Sequence, residues 1–266
     1  IPIAHIGGGE KTTGSIDDGF RHSISKLSNL HFPVADVYKK RLIQLGENPK
    51  TIFNYGSLNL TRIKKNNYLS KNELKRKIKF KFYKKNLLIT YHPETIHPKK
   101  SIKNLNILLN SIKNFNNTGM IITSPNADVQ GVLMISIIKK FIKKNKLKNF
   151  LFVKSLGAIN YLSLLKVVNG VIGNSSSGIS EAPFFGIKTL NLGDRQNGRM
   201  MVSSIINCPV KKISIIKFIN KILNGKFKNK GKNFKEFGDG KAVEKISKIF
   251  SFFDFKKYTK KNFYDL

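Results

Sequence analysis

Between residues 86 and 192 the chain repeats one pattern: a short apolar run, a loop of small or polar residues, and a longer stretch with apolar positions at helical spacing. The runs fall at 86–91, 119–123, 150–154, 171–172 and 189–192, and the spacing predicts helices over 101–112, 129–144 and 161–168. Strands that alternate with helices return through crossovers and build a parallel sheet, so the class is α/β. A shorter series precedes this one, with strands expected at 1–6, 30–34 and 51–55 and helices at 20–27 and 36–45. Residues 56–79 are polar and lysine-rich and read as the crossing between domains, with a helix in their second half. Beyond Met201 the pattern is 203–208, a helix over 213–223, a lysine- and glycine-rich loop to Gly240 and a last helix over 242–253. The expected organisation is an amino-terminal domain over 1–66, a carboxyl-terminal domain over 67–239, and a helix and tail over 240–266, whose final residues the pattern leaves unassigned.

A chain of 266 residues with 40% hydrophobic content can bury two modest cores. The formal charge of +34, from 49 Lys+Arg against 15 Asp+Glu, would ordinarily point to nucleic acid or an anionic membrane. Its distribution argues otherwise. Arginine is confined to Arg21, Arg41, Arg62, Arg76, Arg195 and Arg199, while lysines such as Lys39, Lys84, Lys143 and Lys228 are scattered through every segment. They read as solvated faces, and neither a nucleic acid nor a membrane is expected as partner. No apolar run is long enough for a membrane span. Cys208 is the single cysteine, which excludes an internal disulfide or a cysteine-based zinc site and fits a reducing compartment. The chain opens on a strand without a methionine, so an earlier segment, with any targeting signal, is expected to be missing.

Candidate chemistry concentrates in residues 171–199, read as a strand, a turn, a helix start and a second strand. Gly173-Asn174-Ser175-Ser176-Ser177-Gly178 is a small polar loop opening a helix, which offers backbone N–H groups and hydroxyls to a phosphate or diphosphate. Glu181, one turn on, is acceptor-only when ionised and suits a pair of ribose hydroxyls. Arg195 and Arg199 can meet a phosphate bidentately or stack on a planar ring. The loop by itself reads equally well as serines capping a helix whose dipole Glu181 balances. Two arginines in a lysine-using chain favour a site.

A second group, His5, Glu10, Asp17, Asp18, Arg21 and His22, surrounds the loop that follows the first strand. Neighbouring carboxylates can have their pKa values pushed apart, giving one proton donor and one acceptor. The same residues also read as Asp17 and Asp18 capping a helix that pairs Arg21 and His22 on its surface. His92, just past the strand at 86–91, can donate to a phosphate or shuttle a proton, or is a loop histidine fixed by Pro93. Asn126, in the loop 124–128, is a candidate for the same cleft, although asparagine after proline is also ordinary turn chemistry.

His5-Ile-Gly-Gly-Gly-Glu10, Gly14-Ser-Ile-Asp-Asp18, Arg21-His22, His92-Pro93, Gly173-Asn-Ser-Ser-Ser-Gly178 with Glu181, and Gly193-Asp-Arg-Gln-Asn-Gly-Arg199 occur in one order over the chain. Jointly they resemble the UDP-N-acetylglucosamine 2-epimerase family, and most of all its hydrolysing branch, which makes N-acetylmannosamine for sialic acid biosynthesis. The resemblance implies a glycosyltransferase-B-like architecture of two Rossmann-like domains with the substrate between them, the first domain incomplete here. It implies a UDP-sugar ligand, neither metal nor cofactor, a homo-oligomer (dimer or tetramer) and a cytoplasmic location. Carried over by motif, Ser175 and Ser176 hold the diphosphate, Glu181 the ribose, and Arg195 the uracil or phosphate. His92 and Asn126 lie against the nucleotide. Asp17, with Glu10 and His92, falls in the acid/base set. The family reaction eliminates UDP to leave a 2-acetamidoglucal, and the hydrolysing branch adds water to release the 2-epimer. Gly7 departs from the pattern, because family members commonly carry Glu or His there. With Gly7 and an incomplete first domain, the chain is expected to retain UDP affinity with impaired turnover. A modified substrate such as UDP-diacetamidobacillosamine, a glycosyltransferase of the same architecture, and a basic nucleotide- or nucleic-acid-binding protein are the competing readings.

Overall fold

The computed structural model describes residues 1–13, 16–94, 98–126, 129–225, 235–258 and 260–265. Gly14 and Ser15 of the second motif, Thr95, Ala127, Asp128 and Lys228 lie outside the described residues, as does most of the lysine- and glycine-rich loop. The chain forms two compact units: unit 1 comprises Ile1–Asn66, Asn197–Arg199 and Asn233–Leu266, and unit 2 comprises Asn67–Gln196 and Met200–Lys232.

Unit 1 begins with strand β1 (Ala4–Ile6), helix α1 (Asp17–Leu27), strand β2 (Leu30–Phe32), helix α2 (Asp36–Gln44) and helix α3 (Leu58–Lys65). Strands β1 and β2 pair in parallel, Ala4 opposite Leu30 and Ile6 opposite Phe32. The strand expected at 51–55 is reduced to an isolated bridge between Ile52 and His31, because Asn48 and Pro49 turn the chain into a 3-10 turn over Pro49–Thr51. The polar stretch 56–79 carries two helices instead of one. In both a serine begins the helix: Ser57 Oγ accepts the Asn59 N–H in α3, and Ser70 forms a capping box with Glu73 ahead of α4 (Lys71–Ile78) in unit 2.

Unit 2 continues through β3 (Lys85–Thr90), α5 (Pro98–Ile112), β4 (Thr118–Thr123), α6 (Val129–Lys144), β5 (Phe150–Val153) and α7 (Gly157–Leu165). It ends with β6 (Gly170–Gly173), α8 (Ser177–Ser180), β7 (Lys188–Leu192), β8 (Ile205–Cys208) and α9 (Lys212–Leu223). The strands form one sheet of order β5-β4-β3-β6-β7-β8, parallel throughout. Leu87, Ile89, Met120, Ile122 and Ile172 pack in one core with Leu105, Leu108, Leu109 and Ile112 of α5 and Ile215 and Ile219 of α9. The α5 positions recur at i, i+3, i+4 and i+7, the period that puts them on one helical face. Leu88 and Ile121, which alternate to the opposite face, are also fully buried. Both faces of the sheet are covered, which is why these strands read as unbroken apolar runs.

Helix α10 (Ala242–Phe252) returns the chain to unit 1, where Ile246 joins Leu30 and Phe32 in a small core ringed by Phe53, Tyr55 and Phe253. The residues left unassigned in the sequence are wired in by polar contacts. Lys261 Nζ donates to the carbonyls of Ser25, Lys26 and Ser28 at 3.0, 2.7 and 2.6 Å, closing the carboxyl end of α1. It also pairs at 2.6 Å with Glu47, a carboxylate 1% exposed that meets Lys26 and the buried His31, each at 2.9 Å. These partners hold the Glu47 carboxyl at about 2 against the opposing effect of burial. Among the described residues no helix is long and apolar enough to cross a membrane.

Candidate functional site

In a parallel sheet every strand delivers its following loop to the same edge. In unit 2 the loops after β4, β3, β6 and β7, four neighbours in the sheet, carry Asn126, His92, Ser175 with Ser176, and Arg195 in that order. Asn174, fully buried, is the hub that joins three of them. Its side-chain oxygen accepts the His92 N–H at 2.6 Å, and its amide nitrogen donates to the His92 carbonyl at 2.8 Å. Its own carbonyl accepts from Arg195 Nη1 at 3.2 Å and from Gln196 Nε2 at 2.8 Å. The Asn126 N–H donates to His92 Nδ1 at 3.1 Å. With Nδ1 accepting, the neutral imidazole carries its proton on Nε2, where it can donate to an anion.

The serine loop leaves β6 at Gly173, whose φ of +136° lies outside the range of other residues. A Cβ there would overlap the Thr90 carbonyl oxygen, which accepts the Asn174 N–H at 3.2 Å. Ser175 Oγ accepts the Ser177 N–H at 3.3 Å, and Tyr161 of α7 hydrogen-bonds Ser177 through the two hydroxyls. Among the described residues the N–H groups of Ser175 and Ser176 have no hydrogen-bond partner, so the loop presents two adjacent donors. The helix that follows is shorter than the sequence implied. Pro183 cannot continue the α-helical ladder, and the chain breaks at Glu181 into a 3-10 turn over Ala182–Phe185. Glu181 therefore sits at a junction, half-buried, where its charge joins burial in holding the Tyr161 phenol up at about 12. Donation to an anion here rests on individual N–H and O–H groups, not on the dipole of a four-residue helix.

In unit 1 the structure links Glu10 to Arg199, 3.2 Å apart, so this arginine meets a carboxylate of its own unit. Asp17 is exposed in the first turn of α1. Its neighbour Asp18 accepts the Thr12 N–H and faces Arg21 at 3.9 Å and His22 at 3.7 Å. Thr12 Oγ1 accepts from Arg21 at 3.0 Å and from Arg199 at 3.5 Å, so Glu10 and Asp18 belong to one polar cluster. His5 lies behind it, its Nδ1 3.0 Å from Ser25 Oγ, and burial with the charges of His31, Arg21 and His22 lowers it to about 4. Gly7, where the family resemblance expects a larger residue, has φ +84° and nothing within 4 Å of an added Cβ. A side chain would find room there at the expense of backbone strain. A cavity of about 250 Å³ in unit 1 lies beneath the carboxyl-terminal tail, against Asn48, Lys257 and Phe263, and not among Glu10, Asp17 and Asp18.

The family profile described as UDP-N-acetylglucosamine 2-epimerase matches residues 1–251. The chain belongs to that family. It is 47% identical over 210 residues to a Campylobacter jejuni protein named GDP/UDP-N,N'-diacetylbacillosamine 2-epimerase (hydrolyzing), with 79% of this chain and 54% of that protein covered. It is 36% identical over 269 residues to the Escherichia coli polysialic acid biosynthesis protein P7, covering 100% of this chain and 68% of that protein. The chain thus spans about half the length of the first of these epimerase-family relatives. Its fold is that of the Neisseria meningitidis UDP-GlcNAc 2-epimerase solved with UDP-GlcNAc bound: TM-score 0.73 at 17% identity, over 94% of this chain and 70% of that one. The fold class is therefore glycosyltransferase-B-like α/β, with parallel sheets. Asn174, Gln196 and Tyr161 were not singled out from the epimerase motifs, although Asn174 stands inside the serine loop. The sequence signal for Asn174 was its position directly after the strand glycine, where a buried amide can serve two loops at once.

Proposed function

We propose that this chain is the nucleotide-binding part of a hydrolysing UDP-sugar 2-epimerase. The observation that carries the reading is the Asn174 hub, which gathers His92, Arg195 and the serine donors at the carboxyl ends of adjacent parallel strands. In this reading Ser175 and Ser176 donate to the diphosphate, and Arg195 and His92 Nε2 supply positive charge and a proton as UDP departs. Asn126 lies against the nucleotide and Glu181 accepts from the ribose hydroxyls. Glu10 and Asp17 serve as acid/base carboxylates for removal of the sugar C2 proton and for the later addition of water. The names of the relatives support a 2-acetamido sugar and favour a diacetylbacillosamine-type substrate over UDP-N-acetylglucosamine, whose product would be N-acetylmannosamine. A cytoplasmic enzyme fits the lone cysteine, and a homo-oligomer is supported by the exposed apolar stripe Phe20, Ile24 and Leu27 along α1.

Titration calorimetry with UDP tests the site. Binding near micromolar, about −8 kcal/mol, that weakens at least tenfold in Arg195→Ala is expected. No UDP binding by the folded chain would sink the reading. Incubation with either UDP-sugar, followed by detection of UDP and the free 2-epimer, separates the two substrates.

A further inference from the structure

The phenol of Tyr161 reaches out of α7 to a serine that the site reading leaves without a role. We propose that Tyr161 is a positioning residue for the serine loop, holding Ser177 so that Ser175 and Ser176 keep their donors aimed at the diphosphate. The inference rests on the reading of that loop as a diphosphate site.

Three observations carry it. The Tyr161 and Ser177 hydroxyls are hydrogen-bonded, and the Ser177 N–H in turn donates to Ser175 Oγ at 3.3 Å, so a shift of Ser177 is passed to Ser175. The second is that the Tyr161 phenol lies beside Thr90 as well, whose hydroxyl meets that of Thr123 at 2.5 Å. Tyr161 thereby ties the loop after β6 to the ends of β3 and β4, the strands that deliver His92 and Asn126. Finally, burial keeps this phenol protonated well past neutral pH, so its O–H is a permanent donor. When it donates to Ser177 Oγ, the proton of Ser177 is turned outward and becomes available to a bound oxygen. A phenylalanine would fill the same volume and do none of this.

The experiment is a double-mutant cycle of Tyr161→Phe and Ser177→Ala in the 266-residue chain, reading the affinities of UDP and of uridine, which lacks the diphosphate. Tyr161→Phe is expected to weaken UDP about tenfold and to leave uridine within about twofold. Adding Ser177→Ala to it is expected to cost little more, because the two hydroxyls act as one unit. Unchanged UDP affinity in Tyr161→Phe, or equal weakening of UDP and uridine, overturns the proposal. Absence of UDP binding by the unmodified chain removes the site reading itself, and this inference with it.

Discussion

Among the described residues, unit 2 surrounds six parallel strands with leucine, isoleucine and methionine and sets His92, Asn126 and Arg195 in loops beyond the strands' carboxyl ends, whereas unit 1 has two strands and buries a carboxylate, Glu47. In unit 2 stability comes from apolar area removed from water, and the site is a polar rim on a frame that does not depend on it. In unit 1 the small core of Leu30, Phe32 and Ile246 is supplemented by the buried pair Glu47 and His31 and by the partly exposed Lys26 and Lys261, and the Glu47 carboxylate is stable in the interior because these partners meet it. A parallel sheet tolerates changes at its loops; a buried ion network tolerates few changes anywhere.

Removing the central charge is the most direct way to break this contrast. Glu47→Ala leaves His31 and two lysines without their carboxylate and is expected to destabilise unit 1 by about 3–5 kcal/mol. Hydrogen exchange followed by mass spectrometry should show faster exchange in α1, β2 and α10, with the strands of unit 2 unaltered. Leu88→Ala, at a fully buried position, is the counterpart in unit 2, with an expected loss of about 3 kcal/mol confined to the six-stranded sheet. Similar exchange in both units for either variant would mean that they unfold as one. Acid sharpens the difference. Both His5, lowered to about 4, and Glu47, lowered to about 2, bind fewer protons folded than unfolded. Their contributions are complete above pH about 6.5 and about 4.5 respectively, and are lost as pH falls toward about 4 and about 2. Between pH 7 and 4 the protection of amides against exchange, taken relative to the intrinsic rate at each pH, should fall in unit 1 before unit 2. The smallest effect is expected from Lys65→Gln: its 2.6 Å pair with Glu244 joins side chains 63% and 47% exposed, and the midpoint in denaturant should not move measurably.

The elements of unit 2 were legible because a fully buried strand leaves an apolar run and an amphipathic helix a period of 3.6. The helix Val129–Lys144 matches the expected bounds at both ends. The motifs located His92, Asn126, Ser175 and Arg195 in loops after strands, and the parallel topology puts those loops on one edge. What was not legible is non-local. Nothing in the local pattern of residues 256–266 says that Lys261 will close the end of α1, since a lysine on a solvated face looks the same. The break at Glu181 was readable from Pro183 but was outweighed by the apolar pattern that continues through Phe185. That Asp18 meets Thr12, Arg21 and His22 depends on how the loop after β1 folds back, which spacing does not fix.

The interleaving of unit 1 has a consequence for the order in which the protein can be made. Asn29 donates to the Tyr258 carbonyl, 229 positions later, and Lys261 meets the Ser28 carbonyl 233 positions on. At ribosomal rates of about 5–20 residues per second, α1 and β2 wait on the order of 10 to 45 s for the residues that complete them. Unit 2, most of it a single stretch from residue 67 to residue 196, can pack its sheet during that interval. Helix α1 and strand β2 are thus made before unit 2 but finished after it, and the carbonyls that Lys261 will cap spend the delay open to water.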